Sequence, residues 1–346
     1  MVTLKNLSEI TGYSIATISR VLNNDKTLRT SEETKNIIKT VAKSSGYKAL
    51  QSKKNKMKSK NSSPVKNCIG IIEITDIQEH IKDPYYIYLK GFVEQECFNK
   101  KIETVKIQYD SKKKKYISVS NKKLDGIIII GHFSQEEFKA MEKLTKNLVF
   151  LDSYPEGKDY SCVISDLTSG VKKGINYLME KGHENICFTG PEYVPSLFRE
   201  LRHEIRKNAF LKYSKKKEID KHTSTLDCEL STESASLMVK KYLDEKNSLP
   251  SVFFAVNESV AVGILNTLNE YHIKVPEQVS ILSYNNTIFS AFVNPPLSSI
   301  DTNSEYMART AVELAIKQAN SKVYFPVKIL ISPTVMERES VSDLKE

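Results

Sequence analysis

The sequence predicts a small, all-helical N-terminal domain followed by a two-lobed α/β body. Its 346 residues exceed the usual size of one compact domain, so two or three folding units are expected. Three short amphipathic helical patterns fill residues 1–50. From Cys68 onward, short apolar runs alternate with helical patterns, which is typical of parallel sheets covered by crossover helices. We expect about nine or ten strands there, too many for one lobe.

The composition is that of a globular protein, with 40% hydrophobic and 27% charged residues. The sequence contains no run of 18 uncharged apolar residues that would predict a transmembrane helix. The N-terminus runs directly into an amphipathic pattern without a secretory signal, so we expect a cytoplasmic protein. Five scattered cysteines favour buried hydrophobic side chains over disulfides or zinc ligands.

Positive charge is concentrated at the N-terminus. The chain carries a net charge of +9, but residues 1–66 contain 12 lysines and two arginines against four acids. These residues therefore carry +10 and the remaining 280 carry −1. Such a local excess attracts polyanions and strengthens their binding by releasing counterions from phosphates. The alternative is a solvated basic tail.

Helix-capping residues delimit three helices in residues 1–50. Thr3 is a suitable N-cap for a first helix, which ends where Gly12 can adopt a left-handed conformation. Ser14 caps a second helix, and a capping box from Thr30 to Glu33 predicts the start of a third.

Three short helices with a glycine-containing turn between the first two match helix-turn-helix geometry. The second helix of this motif lies in the major groove of DNA, where Arg20 can pair with a guanine edge. Short polar side chains around it can contact phosphates. The alternative is a small helical cap with a solvated Arg20. The residues predicted to contact DNA are Thr3, Leu4, Ser14, Ile15, Ala16, Thr17, Ser19, Arg20 and Asn23.

The run Ala-Thr-Ile-Ser-Arg-Val-Leu-Asn at 16–23 resembles the headpiece of the LacI/GalR repressor family. Residues 3–8, 12–15, 31–34 and 46–47 continue the match. The resemblance implies that positions 15, 16 and 20 read bases of double-stranded operator DNA. Because one headpiece reads only a few base pairs, we expect a homodimer on a pseudo-palindromic site.

Residues 51–66 form a polar, lysine-rich stretch that predicts an interdomain linker. In the resembled family this region folds on the operator as a hinge helix and inserts a leucine pair into the minor groove. That motif is absent here, and Met57 is the only large apolar residue between Leu50 and Val65. Its lysines can instead bind phosphates without sequence preference.

The resemblance extends over the body of the chain, including Gly182-His183, Thr189-Gly190-Pro191, Val275-Pro276-Glu277 and Pro295-Pro296-Leu297. It implies a periplasmic-binding-protein-like sensor at 67–346. Lobe 1 is expected at about 67–164 and 294–322, and lobe 2 at about 165–293 and 323–346, with chain crossovers near Ser165, Asn294 and Lys322. The run Asp83-Pro84-Tyr85-Tyr86 resembles a subgroup associated with galactosides, which implies a small sugar as effector.

Polar residues follow several predicted strands, where α/β sheets bind ligands. Planar polar groups bracket sugar hydroxyls, and aromatic rings pack on their C–H faces. The family usually has Asp where this chain has Glu258, and often where it has Asn286. Each residue alone is more often a helix cap, a solvated loop residue or core. Residues 206–210 resemble the family's Arg-x-x-Gly-Phe, and this resemblance implies that Arg206 holds sugar hydroxyls. The predicted ligand-binding residues are Asp152, Arg206, Asn257, Glu258, Asn286, Tyr85 and Phe133.

Other functions are less compatible with the sequence. It contains no Gly-x-Gly-x-x-Gly, Walker or Gly-x-Ser-x-Gly motif and no His pair at metal-ligand spacing, so we expect neither catalysis nor a cofactor or metal. A pure solute receptor would require export, whereas a basic helix-turn-helix stands at the N-terminus. The sequence leaves open whether the sugar releases the protein from DNA or strengthens binding, and whether the protein represses or activates.

Overall fold

The chain divides into two compact units, Met1–Lys66 and Asn67–Glu346, in the computed structural model. The residues that the structure describes are 3–22, 25, 28, 30–45, 67–73, 83–118, 120–131, 133–155, 159–195, 201–321 and 323–345. The predicted linker 51–66 and Asn23 lie outside them. No helix among the described residues is long and apolar enough to cross a membrane.

The described residues of the first unit form three helices: α1 (Leu4–Thr11), α2 (Ile15–Leu22) and α3 (Glu32–Ser44). Thr3 caps α1, because its side chain accepts a hydrogen bond from Asn6 N and the Asn6 side chain accepts one from Thr3 N. Gly12 ends α1 in the left-handed conformation, with φ 73°. Both capping predictions are confirmed. The core of the unit consists of Leu7, Ile18, Val21, Ile38 and Ala42.

The start of α3 differs from the prediction by one residue. Its N-cap is Ser31, whose hydroxyl accepts from Thr34 N at 3.1 Å, so the expected capping box from Thr30 to Glu33 does not form. Glu32 and Glu33 instead occupy the first turn, where their negative charge complements the helix dipole.

Lobe 1 of the second unit is a seven-stranded sheet with three helices in the part of the lobe that the structure describes. The elements are β1 (Cys68–Glu73), β2 (Glu103–Asp110), β3 (Lys115–Ser118), β4 (Gly126–Ile130), β5 (Leu148–Leu151), β6 (Ser161–Ser165), β14 (Lys328–Ile331), α4 (Tyr85–Asn99), α5 (Gln135–Met141) and α11 (Ser304–Ala319). The strand order is β14-β6-β5-β4-β1-β2-β3. All neighbours are parallel except β3, which pairs antiparallel with β2. The uninterrupted isoleucines of β4 are buried, as expected for a central strand covered on both faces.

Lobe 2 is a six-stranded sheet with an additional hairpin and five helices among the described residues. The elements are β7 (Ile186–Thr189), β8 (Tyr193–Pro195), β9 (Leu201–His203), β10 (Ser224–Leu226), β11 (Val252–Ala255), β12 (Ser280–Asn285), β13 (Ser298–Asp301), β15 (Thr334–Met336), α6 (Leu167–Glu180), α7 (Ile205–Lys216), α8 (Thr232–Asp244), α9 (Glu258–Glu270) and α10 (Phe289–Phe292). The strand order is β10-β7-β11-β12-β13-β15, parallel except at β15. Beside the sheet lies the antiparallel hairpin β8-β9.

The chain passes between the lobes three times, and two crossovers lie later than expected. The first follows β6 at Ser165, as predicted. The second lies between β13 and α11 instead of near Asn294, because β13 pairs with β12 and β15 in lobe 2. The third follows β14, which pairs with β6 in lobe 1. The sequence predicts it near Lys322, which is outside the described residues.

The sequence pattern predicts one helix from Leu197 to Tyr213, and the observed helix is shorter. It begins at Ile205, because Glu204 is extended and its carboxylate caps the Arg206 N–H at 2.9 Å. Leu201–His203 form β9 instead, paired with β8.

Two glycines on lobe helices allow a matched test of the packing. A methyl group on Gly263 of α9 would meet the Thr232 carbonyl oxygen and lie 2.8 Å from the Ala235 Cβ, whereas one on Gly91 of α4 would meet no described heavy atom within 4 Å. We expect Gly263→Ala to lower the free energy of unfolding by about 1–3 kcal/mol through overpacking. Gly91→Ala should raise it by about 0.5–1 kcal/mol, because alanine favours the helix. Urea denaturation at one protein concentration measures both, and equal effects would contradict this description of the α8–α9 contact.

Candidate functional site

The second helix of the first unit exposes the residues predicted to read bases. Ile15, Ala16 and Arg20 are exposed, and an exposed isoleucine suits contact with an apolar base edge. The hydroxyl of Ser14 caps α2 by accepting from Thr17 N at 3.1 Å. Arg20 Nε donates to Asp25 Oδ2 at 2.8 Å.

The other predicted DNA contacts have different surroundings. Thr3 is exposed, but its hydroxyl takes part in the cap of α1. Leu4 packs against the core of the first unit, and Ser19 is half-buried. Asn23 lies outside the described residues. The DNA contacts therefore stay predictions.

In the second unit, the guanidinium of Arg206 is buried and held by three hydrogen bonds. Its Nε and one terminal nitrogen donate to the Glu204 carboxylate at 2.8 and 3.2 Å, and the other terminal nitrogen donates to the Val256 carbonyl at 2.7 Å. The guanidinium carbon lies 5.4 Å from the centre of the Tyr284 ring. Burial alone would lower the pKa of Arg206, but the Glu204 carboxylate raises it above its ordinary value. Arg206 therefore stays charged in a fixed orientation.

Two half-buried carboxylates of lobe 1 lie within electrostatic reach of Arg206. Asp83 precedes α4, and its Oδ2 accepts from the Asn257 amide of lobe 2 at 2.9 Å. Asp152 follows β5 in the left-handed conformation, with φ 62°. Burial raises the pKa of both groups, to about 7 for Asp152, although the charge of Arg206 lowers each pKa. Donors and acceptors from both lobes thus meet at one site.

Asn257 and Tyr85 complete this arrangement. The Asn257 carbonyl oxygen caps α9 by accepting from Val260 N at 2.9 Å, and its amide nitrogen bridges the lobes to Asp83. Tyr85 is buried with its ring 5.3 Å from that of Tyr86. Burial and the neighbouring charge of Asp152 raise the pKa of the Tyr85 phenol.

Three predicted ligand residues have their contacts elsewhere. The Glu258 carboxylate accepts from the Ser290 hydroxyl, and burial raises its pKa. Both ends of the Asn286 amide are engaged, by the Asp301 carboxylate at 2.9 Å and by the Arg338 guanidinium at 2.7 Å. Phe133 packs into the core of lobe 1. These hydrogen bonds and core contacts join parts of one lobe, but Glu258 still lies near the site, because the charge of Asp83 in lobe 1 also raises its pKa.

Sequence reasoning missed Asp83, Glu204 and Arg202 as members of the site. Asp83 is visible in the sequence as the acid before a helix-starting proline, whereas Glu204 falls in the interior of a predicted helix. The Nε of Arg202 is buried without a hydrogen-bond partner among the described residues, and its charge lowers the pKa of Asp152. A buried unpaired donor next to a polar cluster is a position where a ligand oxygen fits.

The segments that cross between the lobes contact one another at the hinge. Asp166 N donates to the Ile331 carbonyl at 2.9 Å, and the Asn303 amide donates to the Ser332 carbonyl at 3.0 Å. Away from the hinge, the rings of Tyr88 in lobe 1 and Phe289 in lobe 2 lie 5.9 Å apart. Two lobes joined in this way can open and close around a ligand. Within the described part of the chain, no group of His, Cys, Asp or Glu is arranged to hold a metal ion.

The raised pKa of Asp152 predicts how stability depends on pH. Because the folded chain holds this proton to about pH 7 and the ordinary pKa is 3.8, the contribution of Asp152 to the free energy of unfolding falls as pH rises between about 4 and 7. An asparagine at this position does not titrate. We therefore expect Asp152→Asn to match the melting temperature of the unmodified protein near pH 4 and to exceed it at pH 8. A difference independent of pH, or the same trend in the exposed control Asp220→Asn, would contradict this assignment.

Comparisons with known proteins agree with this architecture. A family model described as a periplasmic binding protein-like domain matches residues 175–341. Two solved structures share the fold: a complex of the transcriptional regulator CelR with cellobiose (TM-score 0.62, 18% identity, 98% of this chain and 100% of that chain) and a lac repressor dimer bound to operator and the anti-inducer ONPF (TM-score 0.63, 18% identity, 99% of each chain).

Two curated relatives reach 30% identity. The HTH-type transcriptional regulator GalR of Streptococcus thermophilus aligns over 318 residues, covering 92% of this chain and 93% of the relative. The regulator GanR of Bacillus subtilis (strain 168) aligns over 347 residues, covering 99% of this chain and 100% of the relative. With this identity over nearly the whole length, from the helix-turn-helix to the end of lobe 2, the chain belongs to the LacI/GalR family of transcriptional regulators.

Proposed function

We propose that the protein is a cytoplasmic repressor of a carbohydrate-utilisation operon. It binds a pseudo-palindromic operator as a homodimer and is released by a small sugar such as galactose or a galactoside. No catalytic step is part of this role. The names of the two curated relatives, GalR and GanR regulators, support it.

The sugar-binding part rests mainly on the buried Arg206 opposite Asp83 and Asp152. A guanidinium donates hydrogen bonds and carboxylates accept them, so this pairing suits the hydroxyl groups of a sugar, which do both. Because Glu204 and Val256 already hold Arg206, little side-chain freedom is lost when a ligand binds.

The response to sugar needs a ligand that prefers one arrangement of the lobes. Asp83 and Asn257 belong to different lobes, so a ligand that bonds to either side chain changes the contact between them. The lac repressor structure contains an anti-inducer, so ligands of that relative do not all release DNA. Inducer and corepressor modes are separated by the sign of the affinity change in the experiments below.

Arg20→Ala tests the DNA-binding part of the proposal. We expect the affinity for a selected operator to fall by about 10-fold or more, because a bidentate arginine–guanine pair is lost, with a smaller loss on random DNA. Fluorescence anisotropy on both duplexes at one salt concentration measures this. If selection from random fragments with the unmodified protein yields no preferred sequence, the regulator proposal fails.

A thermal-shift panel of mono- and disaccharides tests the effector part. We expect at least one sugar to raise the melting temperature and to change operator affinity, because a ligand stabilises the state that it binds. Arg206→Ala should abolish both effects, whereas Arg309→Ala, which removes an exposed arginine of α11, should leave them intact. A full response from Arg206→Ala would refute the site.

A further inference from the structure

We propose that Asp25 is a positioning residue that sets the sequence specificity of Arg20. Asp25 lies just beyond α2, and its carboxylate accepts a hydrogen bond from Arg20 Nε at 2.8 Å. The proposal rests on the proposed function, because it assumes that Arg20 reads a base.

The backbone holds Asp25 in place on both sides. Its N–H donates to the Arg20 carbonyl at 3.0 Å, which ties the backbone of Asp25 to the residue that its side chain orients. Its own carbonyl accepts from Leu28 N at 3.3 Å, and Leu28 packs against the core of the first unit. The backbone N–H and the carbonyl of Asp25 are therefore both hydrogen-bonded, which fixes the position of its carboxylate.

The ion pair contributes little to folding. The Arg20 side chain is 46% exposed and that of Asp25 31%, and exposed pairs of this kind have small effects on stability. Its effect is on the conformation of a long side chain that otherwise samples many rotamers. Ordering Arg20 before DNA arrives reduces the entropy lost when it pairs with a base.

The same carboxylate opposes DNA binding in general. A negative charge beside a base-reading side chain repels phosphates, and this repulsion acts on every DNA sequence alike. Asp25 therefore weakens non-specific binding while it orders Arg20 for the specific complex. Removal of its charge should therefore strengthen binding to non-specific DNA and weaken binding to the operator. A purely electrostatic role would strengthen both, and a purely structural role would weaken both.

The experiment compares binding of the full-length protein to its selected operator and to a scrambled duplex of equal length, at one salt concentration. We expect Asp25→Asn to bind the scrambled duplex more tightly and the operator more weakly, so that the ratio of the two affinities falls by about threefold, less than the loss expected of Arg20→Ala. Glu9→Gln, which removes one exposed charge from α1, should leave this ratio unchanged.

The Arg20→Ala background separates positioning from folding. There, Asp25→Asn should no longer weaken operator binding, because the side chain that it orients is absent. An equal loss of operator affinity in both backgrounds would assign Asp25 a structural role and overturn the proposal, as would an unchanged ratio in Asp25→Asn alone. Failure of the unmodified protein to prefer any sequence would instead refute the proposed function.

Discussion

The guanidinium of Arg206, largely removed from water, constrains the structure around the candidate ligand site. A charged group removed from water needs charged or hydrogen-bonding partners, and Arg206 obtains them from Glu204 and the Val256 carbonyl. Glu204 can serve because it is extended between β9 and α7, and Val256 because it directly follows β11. The Arg206 side chain thus joins, through hydrogen bonds, the residue between β9 and α7 to the residue that follows β11. The carboxylates that face Arg206 come from the other lobe.

Much of the fold could be predicted because its central strands are nearly pure hydrophobic runs. The sequence pattern predicts strands at Gly126–Ile130 and Ile186–Thr189, and these are the observed bounds of β4 and β7. The apolar pattern predicts no strand at β13 or β15, because serine and threonine interrupt the hydrophobic residues of these short segments. Because β13 is the last strand before the second crossover, a prediction without it places that crossover too early, near Asn294. A strand this short is defined by pairing with distant neighbours, which a local pattern does not contain.

The candidate site was predictable in part, for a similar reason. Asp152 and Asn257 follow strands, where sheet geometry brings side chains together, whereas Arg206 was identified by the resemblance of residues 206–210 to the family. Asn286 was predicted for the same reason, but its side chain bonds to Arg338. The position of a residue along a strand does not show which neighbour its side chain bonds to. Asp83 belongs to no strand end, and only the packing of two lobes makes it a neighbour of Asn257.

The crossovers also determine when each lobe can be completed during synthesis. Lobe 1 obtains β14 and lobe 2 obtains β15 from the same short stretch, 328–336, late in the chain. The helix-turn-helix, by contrast, uses only residues before 46. At about 5–20 residues per second, the ribosome needs roughly 15–60 s to make the residues in between. Throughout that interval the helix-turn-helix already has all of its residues, while each of the two sheets still lacks at least one strand.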